Sequence, residues 1–129
     1  MSDPFCPPKR NWLQKFGHAF HGVWLGIRGQ RSFAVHIIAG LLVVLAAAVL
    51  QVDRVQWCLL LLCITIVFTA EMFNSALERL AKAVDRSENP LLAESLDIGS
   101  AAVLMASIGA SVIGAVIFLT RMAEWMNPK

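Results

Sequence analysis

The chain has 129 residues and a formal net charge of +2; 57% of its residues are hydrophobic and 16% are charged. Soluble globular domains carry about 25% charged residues, so this composition excludes an ordinary water-soluble domain and indicates a single membrane domain. The small net charge excludes an extended nucleic-acid-binding surface, which needs clustered Lys and Arg. Cys6, Cys58 and Cys63 predict neither a disulfide framework nor a zinc site, because their number is odd and two lie in an apolar run.

The chain begins with a predicted tail and a predicted amphipathic helix. Residues 1–10 contain three prolines and predict a flexible tail, and residues 1–32 show no cleavable targeting signal. Residues 11–29 place large apolar side chains at spacings of three and four, with polar side chains elsewhere around the helix. The apolar set is Trp12, Phe16, Phe20, Val23, Trp24 and Ile27. We expect a helix along the membrane surface, and packing of the same stripe against a helical bundle is an equally compatible interpretation.

Three apolar segments follow, each long enough to cross a bilayer, which takes about 20 helical residues. We predict the first spanning helix at 33–51 and the second at 55–84, where the helical period continues beyond the apolar part as an amphipathic extension. Residues 85–90 contain turn formers and predict a loop. The third spanning helix is expected at 96–121, and a C-terminal tail at 122–129. Residues 11–121 are thus predicted to form one all-α integral membrane domain.

Basic residues are distributed unequally between the two predicted membrane sides. One side carries eight Lys and Arg residues, namely Lys9, Arg10, Lys15, Arg28, Arg31, Arg79, Lys82 and Arg86. The other side carries Arg54, Arg121 and Lys129. Because cytoplasmic segments are enriched in Lys and Arg, we expect the N-terminus and the loop after the second span to face the cytoplasm.

A cluster of polar residues lies at that cytoplasmic boundary. Glu71, Asn74, Ser75 and Glu78 occupy offsets of 0, 3, 4 and 7, which place them on one face of a helix. Asp97 and Ser100 begin the third span at the same boundary. Two carboxylates on one helix face can divide the work of phosphoryl transfer, one taking a hydroxyl proton and the other holding Mg²⁺ against phosphates.

Structural interpretations of the same residues remain open from spacing alone. Glu71 could be a solvated helix end, and Glu78 could pair with Lys82 one turn later. Ionisable groups at membrane depth are usually functional or paired, which favours the functional interpretation. His36, one turn into the first span, is expected to be a packed, hydrogen-bonded residue rather than a ligand.

Two motifs carry a resemblance to a known family. The segments EMFNSALE at 71–78 and LDIGSAAVL at 96–104 resemble the signature of the prokaryotic diacylglycerol kinase family, which also includes undecaprenol kinases. The resemblance extends from about Gly17 to Gly114. It implies a homotrimer of three-span subunits in the bacterial inner membrane. It also implies transfer of the γ-phosphate of ATP, with Mg²⁺, to a lipid hydroxyl at the cytoplasmic interface, with diacylglycerol the expected acceptor and undecaprenol the alternative.

The resemblance also implies roles for individual residues. Glu71 matches the catalytic base beside the lipid, and Asn74 matches a polar residue of the same catalytic motif. Glu78 matches the ligand of the nucleotide-bound Mg²⁺. Asp97 falls at the acidic residue of the nucleotide site, and Ser100 falls at a position near the lipid.

Four positions depart from the family pattern. Gln30 stands where a Glu usually completes the metal site, and Leu96 stands where a Lys usually precedes the Asp of the third span. Lys82 occupies a usually acidic position, and Asn89 replaces a common His. A degenerate family member that binds nucleotide or lipid without turnover is therefore one rival hypothesis. An ion-conducting oligomer is another, disfavoured because polar residues do not continue through the bilayer.

Overall fold

The computed structural model describes residues 11–28, 31–84 and 89–127, which form helices and no strands. The helices are α1 (Trp12–Ile27), α2 (Arg31–Val49), α3 (Arg54–Val84) and α4 (Pro90–Met126). In this part of the chain, α2, α3 and α4 are long and apolar enough to cross a membrane. The prediction of an all-α membrane protein with three spanning helices is confirmed. The predicted tail at 1–10, Gln30 and residues 85–88 of the predicted loop lie outside the described residues.

The large apolar side chains in the first half of α1 do not pack on the bundle. Trp12 and Phe20 are each 74% exposed and Phe16 is 60% exposed. One of the two interpretations of this segment is that its whole apolar stripe packs against the bundle. Within one chain the structure does not show that packing. Only the end of α1 meets the bundle closely, where Gly26 is buried. The location of α1 on a membrane surface stays a prediction.

The connection between α2 and α3 is a tight turn. Gln51 adopts a left-handed backbone conformation with φ 50°, which ends α2 at Val49 rather than at the predicted residue 51. Asp53 then caps α3, because its Oδ1 accepts hydrogen bonds from the backbone N–H groups of Val55 (2.8 Å) and Gln56 (2.9 Å). The two apolar spans are thereby joined as an antiparallel pair.

α3 is a single uninterrupted helix of 31 residues. At 1.5 Å per residue it is roughly 46 Å long, which exceeds the roughly 30 Å hydrocarbon core of a bilayer. One end of α3 must therefore project beyond the hydrocarbon. The polar residues from Glu71 onward occupy that end.

α4 is longer than predicted at both ends. Asn89 caps it, since its Oδ1 accepts from the backbone N–H groups of Leu91 (3.0 Å) and Leu92 (3.4 Å). Pro90 is then the first helical residue, a position that needs no N–H donor. At the other end Arg121 forms a 2.7 Å ion pair with Glu124 and donates to the carbonyl of Gln51. The predicted span of 96–121 lies inside α4, and residues 122–126 of the predicted C-terminal tail are helical.

Few apolar side chains are buried, and most of the large ones are exposed. Ala47, Val52, Leu60 and Ile117 form a buried cluster near the α2–α3 turn, at the end of the bundle opposite Glu71. α3 and α4 pack along each other more extensively than any other pair of helices. The exposed apolar surface of the three spans requires a hydrocarbon environment or another protein surface to cover it.

Candidate active site

Three polar side chains are buried at the projecting end of α3. Glu71 is 2% exposed, Asn74 7% and Ser75 2%, and the described residues contain no other buried polar or charged side chain. Their offsets of 0, 3 and 4 place them on one face of α3, as the sequence predicts. Burial of a carboxylate is costly unless it is hydrogen-bonded or paired. The partners of this face therefore determine what the site can do.

α2 supplies the partners of Glu71. The Ser32 hydroxyl donates a hydrogen bond to Glu71 Oε1, and His36 Nε2 lies 3.9 Å from Glu71 Oε2. The rings of Phe33 and Phe68 contact each other beside this pair, with centroids 5.5 Å apart. Glu71 is thus directed at a polar face of α2 rather than at bulk hydrocarbon.

α4 places a glycine, Gly99, opposite Asn74 of α3. A Cβ atom added at Gly99 would lie 2.6 Å from Asn74 Oδ1 and 3.1 Å from Leu77 Cδ1. The Nδ2 atom of Asn74 donates a hydrogen bond to Glu78 Oε1 at 3.2 Å. Asn74 therefore lies between Gly99 of α4 and the Glu78 carboxylate, which is half-buried.

α1 reaches the same end of α3 through its last turn. A Cβ atom at Gly26 would overlap Met72 Sδ, so a side chain at this position would displace Met72. Arg79 Nη2 donates to the Leu25 carbonyl at 2.5 Å. A cation is favourable beside the last carbonyls of a helix. These contacts place the end of α1 beside the polar face of α3.

Asp97 and Ser100 do not join this cluster within one chain. Both are exposed, whereas Gly99 is buried against Asn74. Asp97 precedes Gly99 by two residues, or roughly 200° around the helix, so it is directed away from α3. Within this chain the structure brings Glu71, Asn74 and Glu78 together and leaves Asp97 and Ser100 apart from them.

Sequence reasoning missed the contact between α2 and Glu71. His36 was expected to be packed and hydrogen-bonded, and it is part-buried, but its proximity to Glu71 was not predicted. Ser32 was not singled out at all. The available signal was their spacing of four residues, which places both on one face of α2.

The described residues contain no group of three or more His, Cys, Asp or Glu side chains that could hold a metal ion. A dedicated cage is not required for Mg²⁺, which is usually bound by one or two carboxylates together with substrate phosphates. The half-buried Glu78 carboxylate fits that requirement. Gln30, where the family usually has a Glu that completes the metal site, lies outside the described residues.

Two apolar cavities border the contact between α2 and α3. One of 330 Å³ extends between α2, α3 and α4, and its polar lining comes from His36, Ser107 and Ser111. The other, of 650 Å³, lies where α1, α2 and α3 meet and is lined by Ile27, Phe33 and Met72 among others. Apolar space therefore adjoins the residues that surround Glu71.

Comparison with known proteins identifies the family. Residues 17–118 match the prokaryotic diacylglycerol kinase family. The undecaprenol kinase of Bacillus subtilis is 26% identical over 111 residues, which are 86% of this chain and 90% of the relative. The diacylglycerol kinase of Synechocystis sp. is 31% identical over 117 residues, or 90% of this chain and 67% of the relative. The diacylglycerol kinase of Escherichia coli K12 is 33% identical over 93 residues, which are 69% of this chain and 76% of the relative. This chain belongs to the prokaryotic diacylglycerol kinase family.

Proposed function

We propose that this chain is an ATP-dependent lipid kinase that transfers the γ-phosphate of ATP to the hydroxyl of a membrane lipid. Diacylglycerol is the expected acceptor and phosphatidic acid the product. The observation that carries the proposal is the buried carboxylate of Glu71, 2% exposed, on one helix face with Asn74 and Glu78 in a chain of this family. A carboxylate at the end of a membrane span is well placed to meet a lipid hydroxyl at the interface.

The proposed roles follow from the positions of the three side chains. Glu71 takes the proton of the lipid hydroxyl as the hydroxyl oxygen bonds to the γ-phosphorus and the bond to ADP breaks. Asn74 donates to Glu78 Oε1 at 3.2 Å and so orients that carboxylate. Glu78 is the residue that would hold Mg²⁺, which when bound neutralises charge on the nucleotide phosphates.

The proposal extends to a homotrimer in which a neighbouring protomer completes the site. Asp97 is proposed for the nucleotide site and Ser100 for the lipid, yet both are exposed, and the face of α4 that carries Asp97 is directed away from Asn74. A second copy packed on that face would bring its own Glu71 and Glu78 toward them. The exposed apolar surface of the three spans is compatible with such packing.

We place the protein in the bacterial inner membrane with the N-terminus and the site on the cytoplasmic side. The distribution of Lys and Arg supports this orientation. ATP is available on that side of the membrane.

Undecaprenol is the second candidate acceptor, because the Bacillus subtilis relative is named an undecaprenol kinase and is covered over 90% of its length. Diacylglycerol and a polyprenol each present one primary hydroxyl. The two cavities near the α2–α3 contact are lined mostly by apolar side chains, which suit either kind of lipid tail.

The experiment is an acceptor panel. Purified protein in lipid nanodiscs is incubated with Mg²⁺ and ATP carrying a radioactive γ-phosphate, with diacylglycerol, undecaprenol or a phospholipid that lacks a free hydroxyl. We expect label in phosphatidic acid and none in the control lipid. Label in undecaprenyl phosphate alone would select the second acceptor. Nucleotide binding without any labelled lipid would identify a degenerate member, and ion flux into proteoliposomes without ATP would favour a conducting function.

A further inference from the structure

The two oxygens of the Glu71 carboxylate have different surroundings. Oε1 accepts the hydrogen bond from the Ser32 hydroxyl. Oε2 is 3.9 Å from His36 Nε2, which is within ion-pair distance but beyond ordinary hydrogen-bond length. Oε1 is therefore engaged by a donor, while Oε2 retains its capacity to accept a proton.

The packing of α2 on α3 fixes this arrangement. Ser32 and His36 are four residues apart and share the face of α2 that meets α3. Phe33, which follows Ser32, is 2% exposed and contacts the ring of Phe68, one turn before Glu71. Since the buried Phe33 ring packs against the half-buried Phe68 ring, this contact restricts the sliding of α2 past α3 and keeps the two polar side chains opposite Glu71.

We propose that Ser32 and His36 are positioning residues that orient Glu71 so that Oε2 is the oxygen that takes the proton. This inference rests on the lipid kinase function proposed above. Ser32 holds Oε1 and fixes the plane of the carboxylate. His36 places a ring nitrogen beside Oε2 and limits its rotation away from the acceptor hydroxyl.

The step balances with these groups alone and the two substrates. The O–H bond of the lipid breaks and its proton goes to Glu71 Oε2. The hydroxyl oxygen forms a bond to the γ-phosphorus of ATP, and the bond between that phosphorus and the bridging oxygen breaks, which releases ADP. Ser32 and His36 exchange no atom in this step; their effect is on the orientation of the base.

A double-mutant cycle tests the contact without any measurement of activity. The midpoint of unfolding in mixed micelles is measured for Ser32→Ala, Glu71→Met and the double variant. If the Ser32 hydroxyl binds Glu71, Ser32→Ala lowers the midpoint in the wild-type background and has no further effect beside Glu71→Met. Additive losses would show that the two side chains do not interact. Ser95→Ala, whose hydroxyl bonds within α4 to Leu91, is the matched control.

Steady-state kinetics test the positioning role. We expect Ser32→Ala and His36→Met to lower kcat by about tenfold or more while the KM for ATP changes by less than about twofold, because orientation is lost and binding is not. Ser32→Thr keeps the hydroxyl that donates to Oε1, and His36→Gln keeps a polar side chain beside Oε2, so both should retain most of kcat. His18→Met, at an exposed position of α1, and Ser95→Ala should leave both constants unchanged.

The outcomes separate this inference from the function on which it rests. If wild type phosphorylates lipid and His36→Met matches His36→Gln, or if the losses appear in KM, the positioning role is overturned. If wild type transfers no phosphate to any lipid, the kinase proposal itself fails, while the unfolding cycle still decides whether Ser32 binds Glu71.

Discussion

Gly99 of α4 lies directly against Asn74 of α3: a methyl group added at Gly99 would stand 2.6 Å from Asn74 Oδ1. Asn74 is 7% exposed, and its Nδ2 reaches Glu78 Oε1. The Asn74 amide therefore lies between a backbone position on another span and the proposed metal-binding carboxylate. The candidate site depends on the lack of a side chain at Gly99.

The first prediction concerns that contact. Gly99→Ala should destabilise the protein by about 1–3 kcal/mol through overpacking and should reduce lipid phosphorylation, because Asn74 must shift. Gly109→Ala, on the same helix with no atom within 4 Å of the added methyl, should be neutral or slightly stabilising. Unfolding midpoints and initial rates of the two variants check this. Equal behaviour would contradict the close approach of α4 to Asn74.

The second prediction concerns the proposed Mg²⁺ ligand. Glu78→Gln should lower kcat by at least about tenfold and should raise the Mg²⁺ concentration needed for half-maximal rate, since a neutral amide binds the ion more weakly. Rates measured across Mg²⁺ concentrations at fixed ATP test it. Glu94→Gln, an exposed carboxylate on α4, is the control. An unchanged Mg²⁺ requirement would remove Glu78 from the metal site.

The third prediction rests on the family resemblance at Gln30. Gln30→Glu supplies the acidic side chain that the family usually has there, so activity should stay the same or rise, most clearly at limiting Mg²⁺. Gln30→Ala separates the effect of the new charge from the loss of the amide. A collapse of activity in Gln30→Glu would mean that this site has diverged from the family arrangement.

The fourth prediction tests whether neighbouring chains share the site. Glu71→Gln and Asp97→Asn should each be inactive as homo-oligomers. Subunits of the two variants, mixed in detergent and reconstituted together, should regain part of the activity, because some sites then pair an intact Glu71 with an intact Asp97 from another chain. The activity of a mixture of wild-type and Glu71→Gln subunits is the reference with which the recovered activity is compared. No recovery would mean that both residues serve one chain's own site, and an active Asp97→Asn homo-oligomer would mean that Asp97 has no role in it.

The sequence predicts α3 closely because its apolar period continues through the charged residues up to Val84. α4 begins before the predicted third span because Asn89 and Pro90, which indicate a loop, are also a favourable helix start, with Asn as the cap and Pro in the first turn. Local sequence does not separate these two outcomes. Whether this pair forms a loop or a helix start depends on how the residues on either side of it pack.

The candidate site, too, is predicted by the sequence in part only. A period of 3.6 residues suffices to place Glu71, Asn74 and Glu78 on one face. Which face of a neighbouring helix meets them depends on rotation between helices, which no local pattern specifies. The sequence therefore located Asp97 at the correct end of α4 but not its direction away from Asn74, and it did not reveal Ser32 beside Glu71.

The most direct test of the central claim is the transfer of labelled phosphate from ATP to diacylglycerol by wild type and Glu71→Gln, both shown by size-exclusion chromatography to assemble alike. Glu94→Gln serves as the matched carboxylate control. We predict robust labelling by wild type and the control, and a loss of at least about 100-fold in Glu71→Gln, in line with the usual contribution of a general base. Equal turnover by wild type and Glu71→Gln would contradict the account.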